Sequence, residues 1–285
     1  MSRVNIFEQL ANQHDYEKDA ERIVMLFDEE HCIGTPSRPL TLKDFVDYYC
    51  FEDWPNRGKC LNADDFLETL GFDEDLSGYT PDSVEDFLTL IEIIYNFYFM
   101  AGRHIGNNVL SQISFLKPYS LLKKMMDDCL SEYNQKAFYF EEEEKCIIAE
   151  DSPQVTAAAE VSTPDIALEI VRYHHRQLAG DIAKKKAILK ALGDELEGRK
   201  KEISSINATL YNNITAALNN LNIRHNNINP NNKSNYHKAV AEMSSEELEK
   251  HYDDLYQLIL LAILEMDNVR RQHEMKELIQ AVTGK

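Results

Sequence analysis

Arginine, histidine and a dense set of amides fall together at one place in this 285-residue chain, the segment Ile223-Arg224-His225-Asn226-Asn227-Ile228-Asn229-Pro230. A guanidinium offers a planar fork of donors that fits a phosphate, and an imidazole can carry a proton near neutral pH. Amides can both donate to and accept from bases or sugar hydroxyls. Arg224 and His225 as catalytic groups, with Asn226, Asn227 and Asn229 as ligand-binding amides, form a set suited to binding or cleaving a phosphodiester. The same residues also serve a plain structural end. Asparagine adopts left-handed conformations and caps helices, arginine binds terminal carbonyls, and Asn-Pro initiates a turn.

Other chemistries lack their residues. His174 and His175 are consecutive on a helical pattern and diverge by about 100°, so they cannot share one metal ion. No HExxH, P-loop, GxGxxG or GxSxG occurs, which speaks against a small-molecule enzyme of the usual α/β kinds. Cys32, Cys50, Cys60, Cys129 and Cys146 are widely spaced without a CxxC pair, a usage that fits a reducing cytosol and excludes the common zinc spacings. No metal and no cofactor is expected.

The arginine-histidine segment must be positioned by helices. It lies within residues 212–235, of which eleven are asparagine, between two long amphipathic patterns. On the first side, Thr163-Pro164-Asp165 caps a run in which apolar residues stand at Ile182, Leu189, Leu192, Leu196, Ile203, Ile206, Leu210, Ile214, Leu218 and Leu221. That heptad-like seam, free of proline over 165–223, predicts one long helix, or a pair broken near Gly193 or Gly198. On the other side, Ser244-Ser245-Glu246-Glu247 is a capping box opening a helix that carries Leu248, Tyr252, Leu255 and Leu258 out to about Val282. The two make an αα-hairpin, and the seam of 163–223 is a candidate homodimer contact of coiled-coil type.

Here a resemblance enters. The stretch LNIRHNNINP between two long helices resembles the motif region of the HEPN superfamily, helical-bundle proteins common among bacterial toxin, abortive-infection and CRISPR-associated ribonucleases. Arg224 matches the family's arginine and His225 the polar residue after it, while the family's histidine position holds Asn229. The resemblance implies RNA or nucleotide binding, and metal-independent cleavage across a dimer if His225 or His237 supplies the missing imidazole. It covers about 120 residues of the second half.

The first half reads differently. Residues 1–160 carry 13 Lys+Arg against 32 Asp+Glu, and residues 161–285 carry 17 of each, so the chain's net charge of −19 belongs to one half. Such a surface repels nucleic acid and suits a basic partner or nucleic-acid mimicry. Helical patterns cover residues 5–12, 16–30, 41–49 and 62–70, and Thr80-Pro81-Asp82 starts a pattern over residues 84–100 that is apolar on nearly every side and therefore central. Arg103-His104 reads as its cationic end. Pro118 opens a helix to about Tyr133, residues 136–150 make one small hairpin with an acidic tip, and 152–159 form a boundary. The expectation is a mainly α protein with an acidic helical domain over 1–150 and a long helical hairpin over 151–285. No membrane span or secretory signal is present, so the chain reads as cytoplasmic. Its function is either HEPN-like RNA interaction in a bacterial defence or toxin system, or non-catalytic scaffolding by helices.

Overall fold

The computed structural model describes residues 15–32, 38–73, 76–106 and 109–283, the side chains of 109–116 excepted. The helix expected over residues 5–12 lies outside them. The chain is mainly helical with one two-stranded sheet, and it divides into two compact units, Met1–Glu150 and Asp151–Lys285.

In the first unit, α1 (Tyr16–Phe27), α2 (Leu42–Tyr49) and α3 (Ala63–Thr69) each begin on a side-chain cap, from Asp15, Thr41 and Asn62. These oxygens take N–H groups that the first helical turn leaves without partners. The central helix is α4 (Val84–Ile105), with Phe87, Ile91, Ile94, Tyr95 and Phe97 sealed from solvent. It runs five residues past the expected Met100 and stops at Gly106, whose φ of 68° suits glycine. Its cap is Ser83, not Thr80: Ser83 Oγ accepts from Asp86 N at 3.2 Å, which leaves Pro81 outside the helix. Pro118 lies inside α5 (Val109–Glu132) instead of opening it. The backbone bond lost to proline is offset by the burial of Tyr119, Leu122, Met126 and Leu130 on the same helix.

The hairpin consists of β1 (Gln135–Phe140) and β2 (Lys145–Glu150), antiparallel with Phe138 opposite Ile147. Helix α4 completes its free edge. Asn96 donates to Cys146 O at 3.0 Å and accepts from Cys146 N at 2.8 Å, and Glu92 accepts from Ile148 N at 3.0 Å, so two polar residues of a buried helix stand in for a third strand. The acidic tip, poor turn chemistry by itself, is held from outside. Trp54 Nε1 donates to Glu144 O at 2.8 Å and Asn56 Nδ2 to Glu143 O at 2.6 Å, while Glu144 takes a left-handed φ of 52°.

The second unit contains α6 (Pro153–Glu160), α7 (Pro164–Tyr173), a short 3-10 turn at Arg176–Leu178, α8 (Ile182–Gly198), α9 (Lys200–Asn220), α10 (Lys238–Ala241) and α11 (Ser245–Thr283). The small-residue run expected at the boundary begins just after the division between the two units and forms helix α6, which buries Val155 and Ala158. The single long helix is also corrected. The chain breaks at His174-His175 and again after Gly198, the second of the two glycine positions expected, and α9 is itself kinked at Asn207. There Asn207 Oδ1 accepts from Leu210 N at 3.0 Å, the bond of an N-cap, and its amide donates to Glu265 of α11. An asparagine inside a helix thus restarts it. Leu189, Leu192, Leu196, Ile203, Leu210, Ile214 and Leu218 are buried within this unit, so the seam proposed for a homodimer is occupied by the protein's own helices. Gly193 permits that packing, since a Cβ there would stand 2.5 Å from Leu218 Cδ1.

The capping box at Ser244 forms reciprocally, with Glu247 N donating to Ser244 Oγ at 3.2 Å and Ser244 N to Glu247 Oε2 at 3.0 Å. Helices α9 and α11 run antiparallel: Tyr252 hydroxyl reaches Leu221 O, whereas Glu265 reaches back to Asn207. The αα-hairpin is present, closed by the asparagine-rich turn.

Candidate functional site

The turn after α9 is built on Asn227, which is almost wholly buried. Its Oδ1 accepts from Asn222 N at 2.8 Å, its Nδ2 donates to Asn235 O at 2.7 Å, and its carbonyl accepts from His237 N at 2.8 Å. Asn222 sits at φ 60°, a conformation asparagine tolerates, and its amide oxygen accepts from Asn227 N at 3.3 Å. Asn229 closes a smaller loop by accepting from Asn231 N at 3.0 Å. These amides bind backbone.

Arg224 points into the unit, with its side chain 13 % exposed. Nη2 donates to Gly193 O at 2.9 Å and lies 2.8 Å from Glu197 Oε2 and 3.3 Å from Asp194 Oδ1, while Nε is buried without a partner. The guanidinium therefore ties the last turns of α8 to the start of the asparagine turn, and two carboxylates already occupy it. His225, Asn226 and His237 are exposed on the same turn. Of the residues suited to a phosphodiester, three face solvent and the cation that would hold the phosphate does not.

Two other constellations escaped sequence reasoning. Lys185 of α8 is buried and lies 2.7 Å from Glu249 and 2.8 Å from Asp253 of α11, over the ring of Tyr173 of α7 at 5.1 Å. Tyr173 hydroxyl donates to the same Asp253 oxygen at 2.8 Å, and burial together with that bond pushes its pKa up. Burial alone would lower the Lys185 pKa, but its bonds to Asp253 and Glu249 more than offset this and leave it raised. The Glu249 carboxyl is held below its usual range, chiefly by Lys185. This is a satisfied polar tie among three helices. The sequence signal, a lysine among apolar seam positions, is shared with every solvated helix face.

The second constellation is on α11. Tyr252, Leu255, Ile259, Ala262 and Met266 bury one face, yet Met275, Leu278, Ile279 and Val282 are 55, 56, 54 and 76 % exposed. Nine residues at about 100° each carry Met275 about 180° round from Met266. The apolar face changes sides along one helix, and among the described residues none covers the second face. Among the described residues no group of three His, Cys, Asp or Glu side chains could hold a metal ion, and no helix is long and apolar enough to cross a membrane.

No protein-family model matches this sequence, and comparison with curated proteins and with solved structures likewise gives no significant match.

Proposed function

We propose that the protein is a non-catalytic helical interaction protein that pairs with a second copy of itself through the outer stripe of α11. The observation that carries this reading is the spacing of that stripe. Leu261, Asn268, Met275 and Val282 recur every seven residues, and Leu264, Arg271 and Leu278 recur every seven from a start three positions later. That is the seam of a coiled coil, including a single asparagine of the kind that sets register, and an arginine whose stem can lie along the seam while Asp267 holds its head. Charge favours self-pairing at this place. Residues 267–283 carry three cations and three anions, so this stretch has no net charge to oppose a copy, unlike the acidic residues 1–160.

Sedimentation or light scattering over about 1–100 μM tests this, the range in which a contact this small would dissociate. Wild-type protein should shift from monomer to dimer, and Met275→Asp or Leu278→Asp should stay monomeric with unchanged helicity. A wild-type monomer throughout would end the proposal.

A second reading, HEPN-like RNA or nucleotide interaction, draws support from the exposure of His225, Asn226 and His237 on one turn. The occupied guanidinium of Arg224 weighs against it. Incubation with labelled RNA in the presence of chelator separates the two, since only this reading expects binding or cleavage. The five unpaired cysteines are in keeping with a cytoplasmic protein under either reading.

A further inference from the structure

The Arg103-His104 pair at the end of α4 does not stand by itself. It borders a cleft of 140 Å³ in the first unit, lined also by Tyr49, Cys50, Asp53, Trp54, Met100, Tyr139 and Glu144. Three aromatic walls are buttressed from behind. Tyr139 stacks on Phe99 at 4.3 Å, Tyr49 packs on Phe45 at 4.9 Å, and Trp54 packs on Phe66 at 5.2 Å. Walls fixed in this way need no reordering when a ligand enters.

The charges sort clearly. Arg103 donates to Glu141 O at 2.8 Å and pairs with Glu144 at 3.0 Å, so its charge is answered by a neighbour. Asp53 is exposed at the rim and has no ion-pair or hydrogen-bond partner among the described residues. On the hairpin tip beside Glu144, one Glu143 carboxylate oxygen is buried without a donor. Burial raises the Cys50 thiol to about 12, so it is neutral near pH 7 and adds no negative charge to the cleft. The unit around the cleft carries 13 Lys+Arg against 30 Asp+Glu over residues 1–150, which disfavours any anion.

We propose that this cleft receives the ammonium end of a lysine side chain on a basic partner protein. Aromatic walls attract a desolvated cation through their ring faces, and a free carboxylate at the rim supplies the counter-charge. The volume is well below the roughly 300–1,000 Å³ of pockets that enclose a drug-sized ligand, so it fits one compact group and not a nucleotide or cofactor. Lysine offers a point charge on a thin stem, whereas guanidinium is a wide plane. The acidic residues around the cleft would meet the rest of a basic segment.

Trp54 is the protein's single tryptophan and lines the cleft, so its fluorescence reports occupancy directly. Titration of the full chain with a hexalysine peptide should give a saturable change, and the same peptide with acetylated side chains should give none. Asp53→Asn should weaken the response about ten-fold with the thermal melt unchanged, and Tyr49→Ala should weaken it likewise with a lower melting temperature, since its ring packs on Phe45. Absence of a saturable response to hexalysine would overturn the proposal. So would an equal response in both variants, because the peptide would then be held by the acidic surface at large.

Discussion

At the scale of single residues, Arg224 and Asn227 behave as structural devices. Arg224→Ala removes one hydrogen bond to a buried carbonyl and two ion pairs whose carboxylates are more than half exposed. Exposed pairs contribute little, so the expected loss is about 1–2 kcal/mol in a urea melt, with RNA binding the same as wild type. An unchanged melt together with lost RNA binding would return Arg224 to a functional role. Asn227→Ala should cost more, about 2–4 kcal/mol by the same melt, because it strands a buried donor at Asn222 and an acceptor at Asn235. The segment's importance was legible in the sequence, since so many amides at a helix junction must do something. Their direction was not. Donors suited to a phosphate are equally suited to a carbonyl, and only the fold decides which is nearer.

At the scale of elements, the helix starts at Thr41 and Ser244 were legible because each side chain caps within three residues of itself, whereas the starts expected at Thr80 and Pro118 were not where the helices begin. Breaks inside the long seam were less so. The kink at Asn207 comes from a side chain competing with the backbone while Glu265, 58 residues away, holds its amide, and no local pattern reports such a partner. The tie from Lys185 to Glu249 and Asp253 is equally long-range, and it makes a prediction about pH. Glu249's carboxyl is depressed in the folded state, so its contribution is present above the ordinary glutamate range and is lost as pH falls through the folded value. Lys185 is raised, so its contribution persists until pH climbs past the ordinary lysine range. Glu249→Gln should therefore lower stability at pH 7 by about 1–2 kcal/mol, less than a fully buried pair because Glu249 is 21 % exposed and Lys185 keeps its bond to Asp253. The two proteins should converge between about pH 5 and 3 in melts followed by circular dichroism. A constant gap across that window would mean that packing, not charge, joins these helices.

At the scale of the whole molecule, the uneven charge could be counted from the sequence, and the apolar residues of α11 could be read as helical. That they form two stripes on opposite sides follows from their spacing as well, but which of the two stripes the rest of the chain covers does not, because spacing shows which residues share a face and nothing of what packs on it. Charge and stripe together fix the sign of a salt effect. Two copies of net charge −19 repel while they approach, and the pairing surface over 267–283 is neutral, so salt removes a repulsion and no attraction. The screening length falls from roughly 30 Å at 0.01 M to about 10 Å at 0.1 M, so self-association should tighten as sodium chloride rises from about 10 to 150 mM. Binding of a lysine peptide at the acidic cleft should weaken over the same range, as should any binding of RNA phosphates by cations. Dimer dissociation constants from sedimentation at the two salt concentrations decide the matter. If dimers loosen with salt, opposite charges hold the copies together, and the apolar stripe of α11 is not the contact.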